Sequence, residues 1–164
     1  MEWVKIHYLD ASSLVKLFVD EEGAGPVREY FNRESGFRVT SLCFAETLGV
    51  LKSKFFYQKK ITQENYLCAC DELMSSAADE TILIVEVPIS DTFSEVESLV
   101  RKYSIDTSDA FQIVTIKRDY FSKFPETQPI LITADETLAN AARHEGLKVW
   151  DCLREPPPPE QAHA

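Results

Sequence analysis

The sequence predicts a single α/β domain, with a central parallel sheet flanked by helices in three α/β/α layers. Three observations predict it. Short runs rich in Val, Ile and aromatic residues alternate with segments of helical periodicity from Val4 to Trp150. Strands that alternate with helices in this way form a parallel sheet covered on both faces. A length of 164 residues is that of one domain and is enough to bury a core.

The first strand is read at Val4–Leu9. A helix follows over Ser12–Asp20, with Leu14, Val15, Leu17 and Phe18 apolar. The turn Gly23-Ala24-Gly25 opens a second helix, Pro26–Glu34. A second strand, Phe37–Ser41, runs into the long helix Leu42–Tyr57, whose core stripe is Phe44, Leu48, Leu51 and Phe55. Lys59 to Thr62 form a helix-to-helix turn, with Thr62 capping the helix Thr62–Ala78. The third strand is Ile82–Val87, followed by helices Asp91–Lys102 and Thr107–Tyr120. Pro129–Thr133 is the fourth strand. Helix Glu136–Glu145 stops at Gly146, and Leu147–Trp150 is the last strand. From Arg154 the chain reads Glu155, four prolines and a short polar end, a composition that favours an extended backbone. The domain is therefore read as 1–153, with 154–164 a Pro-rich tail off the packed body.

Composition excludes several functions. The net charge is −10, from 17 basic and 27 acidic residues, which argues against a protein that coats nucleic acid through Lys and Arg. The longest apolar runs are far too short to span a bilayer, so no membrane partner is expected. The N-terminus has no signal-peptide pattern, so a cytoplasmic location is expected. Cys43, Cys68, Cys70 and Cys152 form no CxxC pair, and His7, His144 and His163 are scattered, so neither zinc nor a disulfide framework is expected.

The acids are the puzzle. In an open parallel sheet, ligands bind outside the carboxyl ends of the strands. Asp10 ends the first strand and Asp135 follows the fourth. Glu46 lies early in the helix after the second strand, away from its core stripe and among Leu42, Gly49, Val50 and Ser53. Asp106 and Asp109 open a helix that turns strongly apolar. Taken singly, Asp10 and Asp135 read as N-caps, and Asp106 with Asp109 as a capping box. Taken together, four carboxylates at one sheet edge repel one another unless a cation is present. Mg²⁺ or Mn²⁺ takes hard oxygen ligands of this kind, and such ions serve phosphoryl displacement.

The segments "YLDASSLVKLF", "AETLGVL", "DTSDAFQIVT" and "LITADETLANAARHEGLKVW", in this order, resemble the PIN domain. Within it they are similar to the VapC-type ribonuclease toxins of toxin–antitoxin pairs. The resemblance covers about Val4 to Trp150. It implies a Mg²⁺- or Mn²⁺-dependent endoribonuclease with an acidic quartet, here Asp10, Glu46, Asp109 and Asp135, as catalytic residues and metal ligands. Ser12 and Thr133 are implied as supporting hydroxyls beside the first and fourth acids. Asp106 is an extra acid, read as a cap. An RNA substrate, an antitoxin protein and a homodimer are the expected partners.

Two rivals stand beside this reading. One is a catalytically silent module that keeps the fold for partner binding. The other is a receiver-like signalling domain, which lacks the required Asp at the end of the central strand, since Ile82–Val87 runs into Pro88. The stretch "LKSKFFYQKK", Leu51 to Lys60, interleaves cations and rings. It reads either as an RNA groove or as a helix end whose lysines favour the macrodipole.

Overall fold

Five parallel strands form one sheet in the order β3-β2-β1-β4-β5. The strands are β1 (His7–Leu9), β2 (Phe37–Thr40), β3 (Ile82–Val85), β4 (Ile130–Thr133) and β5 (Lys148–Asp151). Around them lie α1 (Ala11–Leu14), α2 (Ala24–Arg33), α3 (Ser41–Phe56), α4 (Gln63–Ala78), α5 (Ile89–Tyr103), α6 (Thr107–Tyr120) and α7 (Glu136–His144). The computed structural model describes residues 5–120 and 128–159. Val4, read above as the first strand residue, lies outside them.

The chain starts in the middle of the sheet, builds outward through β2 and β3, then returns to add β4 and β5 on the other side. That reversal makes a crevice at the carboxyl end of β1, between its two neighbours. A receiver-like domain has the order 2-1-3-4-5, so the strand order excludes that rival. The β1–β4 register pairs Leu9 with Ile132, which brings Asp10 level with Thr133.

Alternation along the strands gives each face its own core. Ile6, Tyr8 and Leu131 point into a cluster with Val96, Leu99, Ile113, Ile116 and Leu138 under α5, α6 and α7. Leu9, Val39 and Ile132 point the other way, into Leu14, Tyr30, Leu51, Leu73 and Trp150. Each such side chain, fully buried, contributes roughly 1.5–3 kcal/mol.

Several elements depart from the sequence reading, each for a physical reason. The helix expected over Ser12–Asp20 is one α-turn followed by a 3-10 turn at Val15–Leu17. Lys16 is buried there, and its ammonium needs the Glu21 carboxylate at 2.7 Å and the Glu22 carbonyl at 2.8 Å, which the chain supplies by turning back. α3 starts at Ser41 because Thr40, the last residue of β2, caps it by accepting the Cys43 N–H at 3.2 Å. Its fully buried positions are Cys43, Thr47 and Leu51, while Phe44 and Leu48 are partly covered. Apolar β3 is an edge strand, so Leu83 and Ile84 stay 48% and 39% exposed.

The Lys–aromatic stretch at the end of α3 is used within the fold only in part, and Phe56 and Tyr57 stay 48% and 72% exposed. Lys54 pairs with Glu21 at 2.6 Å, and the Phe55 ring stacks on Tyr66 of α4 at 5.1 Å. Contacts with the body continue past Leu153. The Trp150 indole N–H donates to the Glu155 carbonyl at 3.1 Å, the Glu155 carboxylate pairs with Arg143, and Arg33 donates to the Pro158 carbonyl at 3.2 Å. Among the described residues, no helix is long and apolar enough to cross a membrane.

Candidate active site

Asp10 is the first residue beyond β1 and the N-cap of α1, where its Oδ1 accepts the Ser13 N–H at 2.8 Å. The cap reading is correct, but it is not the whole role. Asp10 is only 4% exposed, and a buried carboxylate is costly unless it is bonded. The Ser12 hydroxyl donates to it, at 2.8 Å from Oδ1 and 2.7 Å from Oδ2. The Thr133 hydroxyl donates to Oδ2 at 2.5 Å.

Both hydroxyls are aimed from behind. The Ala134 N–H donates to Ser12 Oγ at 2.9 Å, and the Asp135 N–H donates to Thr133 Oγ1 at 3.0 Å. With an acceptor site of each oxygen so filled, each hydroxyl proton is directed at Asp10. Burial pushes the Asp10 pKa up, and the bonds from Thr133, Ser12 and Ser13 oppose that rise.

Asp109 opens the first turn of α6 and is half-buried. Its pKa is pushed up to about 7, first by burial and then by the negative charges of Asp10, Asp135, Glu46 and Asp106. Glu46, on the exposed side of α3, is also raised, first by partial desolvation and then by Asp10, with Asp106 adding to it. A hydrogen bond with Ser108 opposes the rise. Asp135 is exposed and caps α7, its Oδ1 accepting the Thr137 and Leu138 N–H groups at 2.7 and 3.0 Å. The charges of Asp10, Asp135 and Glu46, the other three acids picked from the sequence, thus all reach Asp109. Asp106 opens α6 through its carbonyl, which accepts the Ala110 N–H at 3.0 Å, and its charge adds to the same field.

The chemistry of this donor set is oxygen only, which is the preference of hard divalent cations. Burial and the neighbouring acids together raise Asp109 to about 7, and a cation would relieve the repulsive part. As placed, however, no group of three or more His, Cys, Asp or Glu among the described residues is poised to hold a metal ion.

Three residues near the acids escaped the sequence reading. Ser108 bonds Glu46. The Ser13 hydroxyl donates to the Ile132 carbonyl at 2.7 Å and so ties α1 to β4. Gln112 is completely buried and its Nε2 donates to the Leu9 carbonyl at 3.3 Å. The available signals were a hydroxyl beside Asp109, the second serine after Asp10, and a lone amide within the apolar run "AFQIVTI".

Comparison with known proteins follows the same outline. The family model described as PIN domain matches residues 7–144. The crystal structure of PAE2754 from Pyrobaculum aerophilum aligns with a TM-score of 0.59 and 15% identity, over 88% of this chain and 89% of that one. At that identity the likeness speaks of the fold alone. No curated protein matches the sequence. The family match runs from the first residue of β1 to the last of α7 and takes in all four acids, so the chain belongs to the PIN domain family, a nuclease-type fold.

Proposed function

We propose that this protein is a divalent-metal-dependent endoribonuclease and the toxin of a VapBC-type toxin–antitoxin pair. The observation that carries the reading is Asp109, whose carboxyl is held near 7 by burial and by three other acids of the cluster together with Asp106. Asp10, Glu46, Asp109 and Asp135 would hold Mg²⁺ or Mn²⁺. When bound, such an ion supplies Lewis acidity for phosphodiester hydrolysis.

The chain's own residues divide the remaining work. Ser12 and Thr133 hold Asp10 in one rotamer and favour its charged form, since both donate protons to it. Ser108 lowers the Glu46 pKa against the rise from desolvation and Asp10. Asp135 is fixed by two backbone N–H groups of α7 and adds to the field that acts on Asp109. The acidic surface repels phosphate, so RNA affinity in this reading depends on the cation and on few direct contacts. An antitoxin that covers the cluster and a homodimeric assembly complete the proposal.

A silent PIN-fold binding module is the second reading. It is favoured by one observation: among the described residues, no three His, Cys, Asp or Glu stand poised for a metal. One experiment separates the two. Purified protein is incubated with tRNA and other structured RNAs in Mg²⁺ or Mn²⁺, with EDTA and Asp109→Asn as controls. Cleavage that needs the ion and Asp109 supports the nuclease. No cleavage, together with a melting temperature that ignores millimolar Mn²⁺, sinks it and leaves the binding module.

A further inference from the structure

The buried face of α6 carries one amide that packing does not require. Gln112 lies in a run where Ala110, Phe111, Ile113, Val114 and Ile116 are all buried, and it is itself 0% exposed. Its Oε1 is the only buried side-chain polar atom without a hydrogen-bond partner among the described residues. An orphaned amide oxygen in an apolar interior costs stability, whereas Met or Leu would fill similar space at no such cost. Stability alone therefore does not account for a glutamine here.

Its other end suggests what does. Nε2 donates to the carbonyl of Leu9, the residue immediately before Asp10. Gln112 is three residues beyond Asp109, on the same face of the helix. One amide thus joins the strand that leads into Asp10 to the helix whose first turn holds Asp109. At the far end of α6 a second polar tether is present, the Tyr8 hydroxyl donating to Asp119 at 3.0 Å. Apolar packing between helix and sheet resists separation but tolerates sliding. Two directional bonds, one at Gln112 and one at Asp119, fix the register.

We propose that Gln112 is a positioning residue that sets the placement of Asp109 relative to Asp10 and holds the acid cluster in its working geometry. The inference rests on the nuclease reading and deepens it. Gln112 touches neither ion nor substrate; it acts through the two elements it links.

Gln112→Met is the test, because it keeps the volume and removes both the bond to Leu9 and the orphaned oxygen. Metal-free, its melting temperature should equal or exceed that of the wild type. In RNA cleavage, kcat should fall about 10- to 100-fold, as small misplacements in a site do, with KM little changed. The rise in melting temperature on adding Mn²⁺, read without any substrate, should shrink. A Met variant with wild-type kcat and a wild-type Mn²⁺ response overturns the inference alone and leaves the nuclease standing. So does a variant that simply loses stability, with activity per folded molecule unchanged. Gln112→Leu repeats the measurement; failure of both variants to fold makes Gln112 a structural residue and also overturns it. A wild type inert to both Mn²⁺ and RNA sinks the nuclease reading and this inference with it.

Discussion

Thr133 donates its hydroxyl to Asp10 at 2.5 Å, across 123 residues of sequence. The bond exists because β1 and β4 are neighbours in register, with Leu9 beside Ile132. The same hydroxyl accepts the Asp135 N–H, so one side chain serves the acids at the ends of two strands.

Replacing that hydroxyl with a methyl group therefore leaves two groups short of a partner. Thr133→Val keeps the shape but strips Asp10 of a donor and the Asp135 N–H of an acceptor. The expected loss is about 1–3 kcal/mol, the cost of unpaired buried polar groups, and Thr133→Ser should recover most of it. Urea unfolding of the three proteins measures this. A Val variant as stable as the wild type would show that the bond to Asp10 contributes nothing.

Asp109 gives a prediction with a pH sign. Its folded pKa of about 7 lies above the ordinary 3.8. Between those values the folded protein holds a proton that the unfolded chain releases. Its contribution to stability is thus full below pH 4 and lost as pH rises through 7. Above 7 the ionised group is a net burden, which Asn does not carry. In EDTA, Asp109→Asn should melt above wild type at pH 8 by several degrees, each kcal/mol being worth about 2–4 °C in a domain of this size. Near pH 4 the gap should close. A gap that stays constant from pH 4 to 8 contradicts the clustering of charge around Asp109.

Much of this was legible in the sequence, and the limits are physical. Periodicity and turn chemistry show where strands and helices alternate, and the open-sheet rule points to Asp10 and Asp135. Glu46 and Asp109 stood out because they sit beside apolar or small neighbours. What local pattern does not carry is pairing between distant segments. Asp10 alone looks like a cap that Asn could replace. The structure shows Ser13, Ser12 and Thr133 all donating to its two oxygens. Asn offers one oxygen and an amino group, so it faces those hydroxyl protons with a second donor. Asp10→Asn is therefore no neutral cap swap, and Asp109→Asn is the cleaner test of charge. The exposed edge of β3 was hidden for a similar reason, since "ILIV" reads as buried until the strand order is known.

His7 provides a second pH signal with a different origin. Its Nδ1 lies 2.9 Å from the Ser35 carbonyl and its Nε2 lies 3.0 Å from the Tyr30 hydroxyl. Nδ1–H donates to the Ser35 carbonyl in either charge state, whereas only the neutral ring accepts the Tyr30 hydroxyl proton at Nε2. Burial pushes the His7 pKa below its ordinary 6.5, against the Ser35 bond and the Glu34 charge, which raise it. As pH falls below 6.5 the unfolded chain takes up a proton before the folded one does, so this contribution to stability falls with acidification. The carboxylate cluster works in the opposite direction, so the comparison is made between proteins. His7→Gln should lose less stability than wild type between about pH 7 and pH 5. Parallel pH profiles would rule out a neutral, buried His7.

The last prediction concerns where the folded body ends. The Trp150 indole is nearly fully buried, and its N–H donates to the carbonyl of Glu155. The Glu155 carboxylate meets Arg143 and the Asp151 N–H. A chain cut after Glu155 keeps these bonds and loses the contact of Arg33 with the Pro158 carbonyl, an exposed bond of little weight. Its melting temperature should stay within a few degrees of wild type. A chain cut after Leu153 takes away the acceptor for the indole and the partner for Arg143, and it also removes Arg154 from the buried Asp151. Trp150, packed in the cluster with Leu9, Val39 and Leu14, then has an unpaired, part-buried donor. The cost should be about 1–3 kcal/mol for the indole alone. Paired melting curves for the two truncations decide the matter. If both behave like wild type, the body ends at Leu153; if only the longer one does, Glu155 is part of the fold.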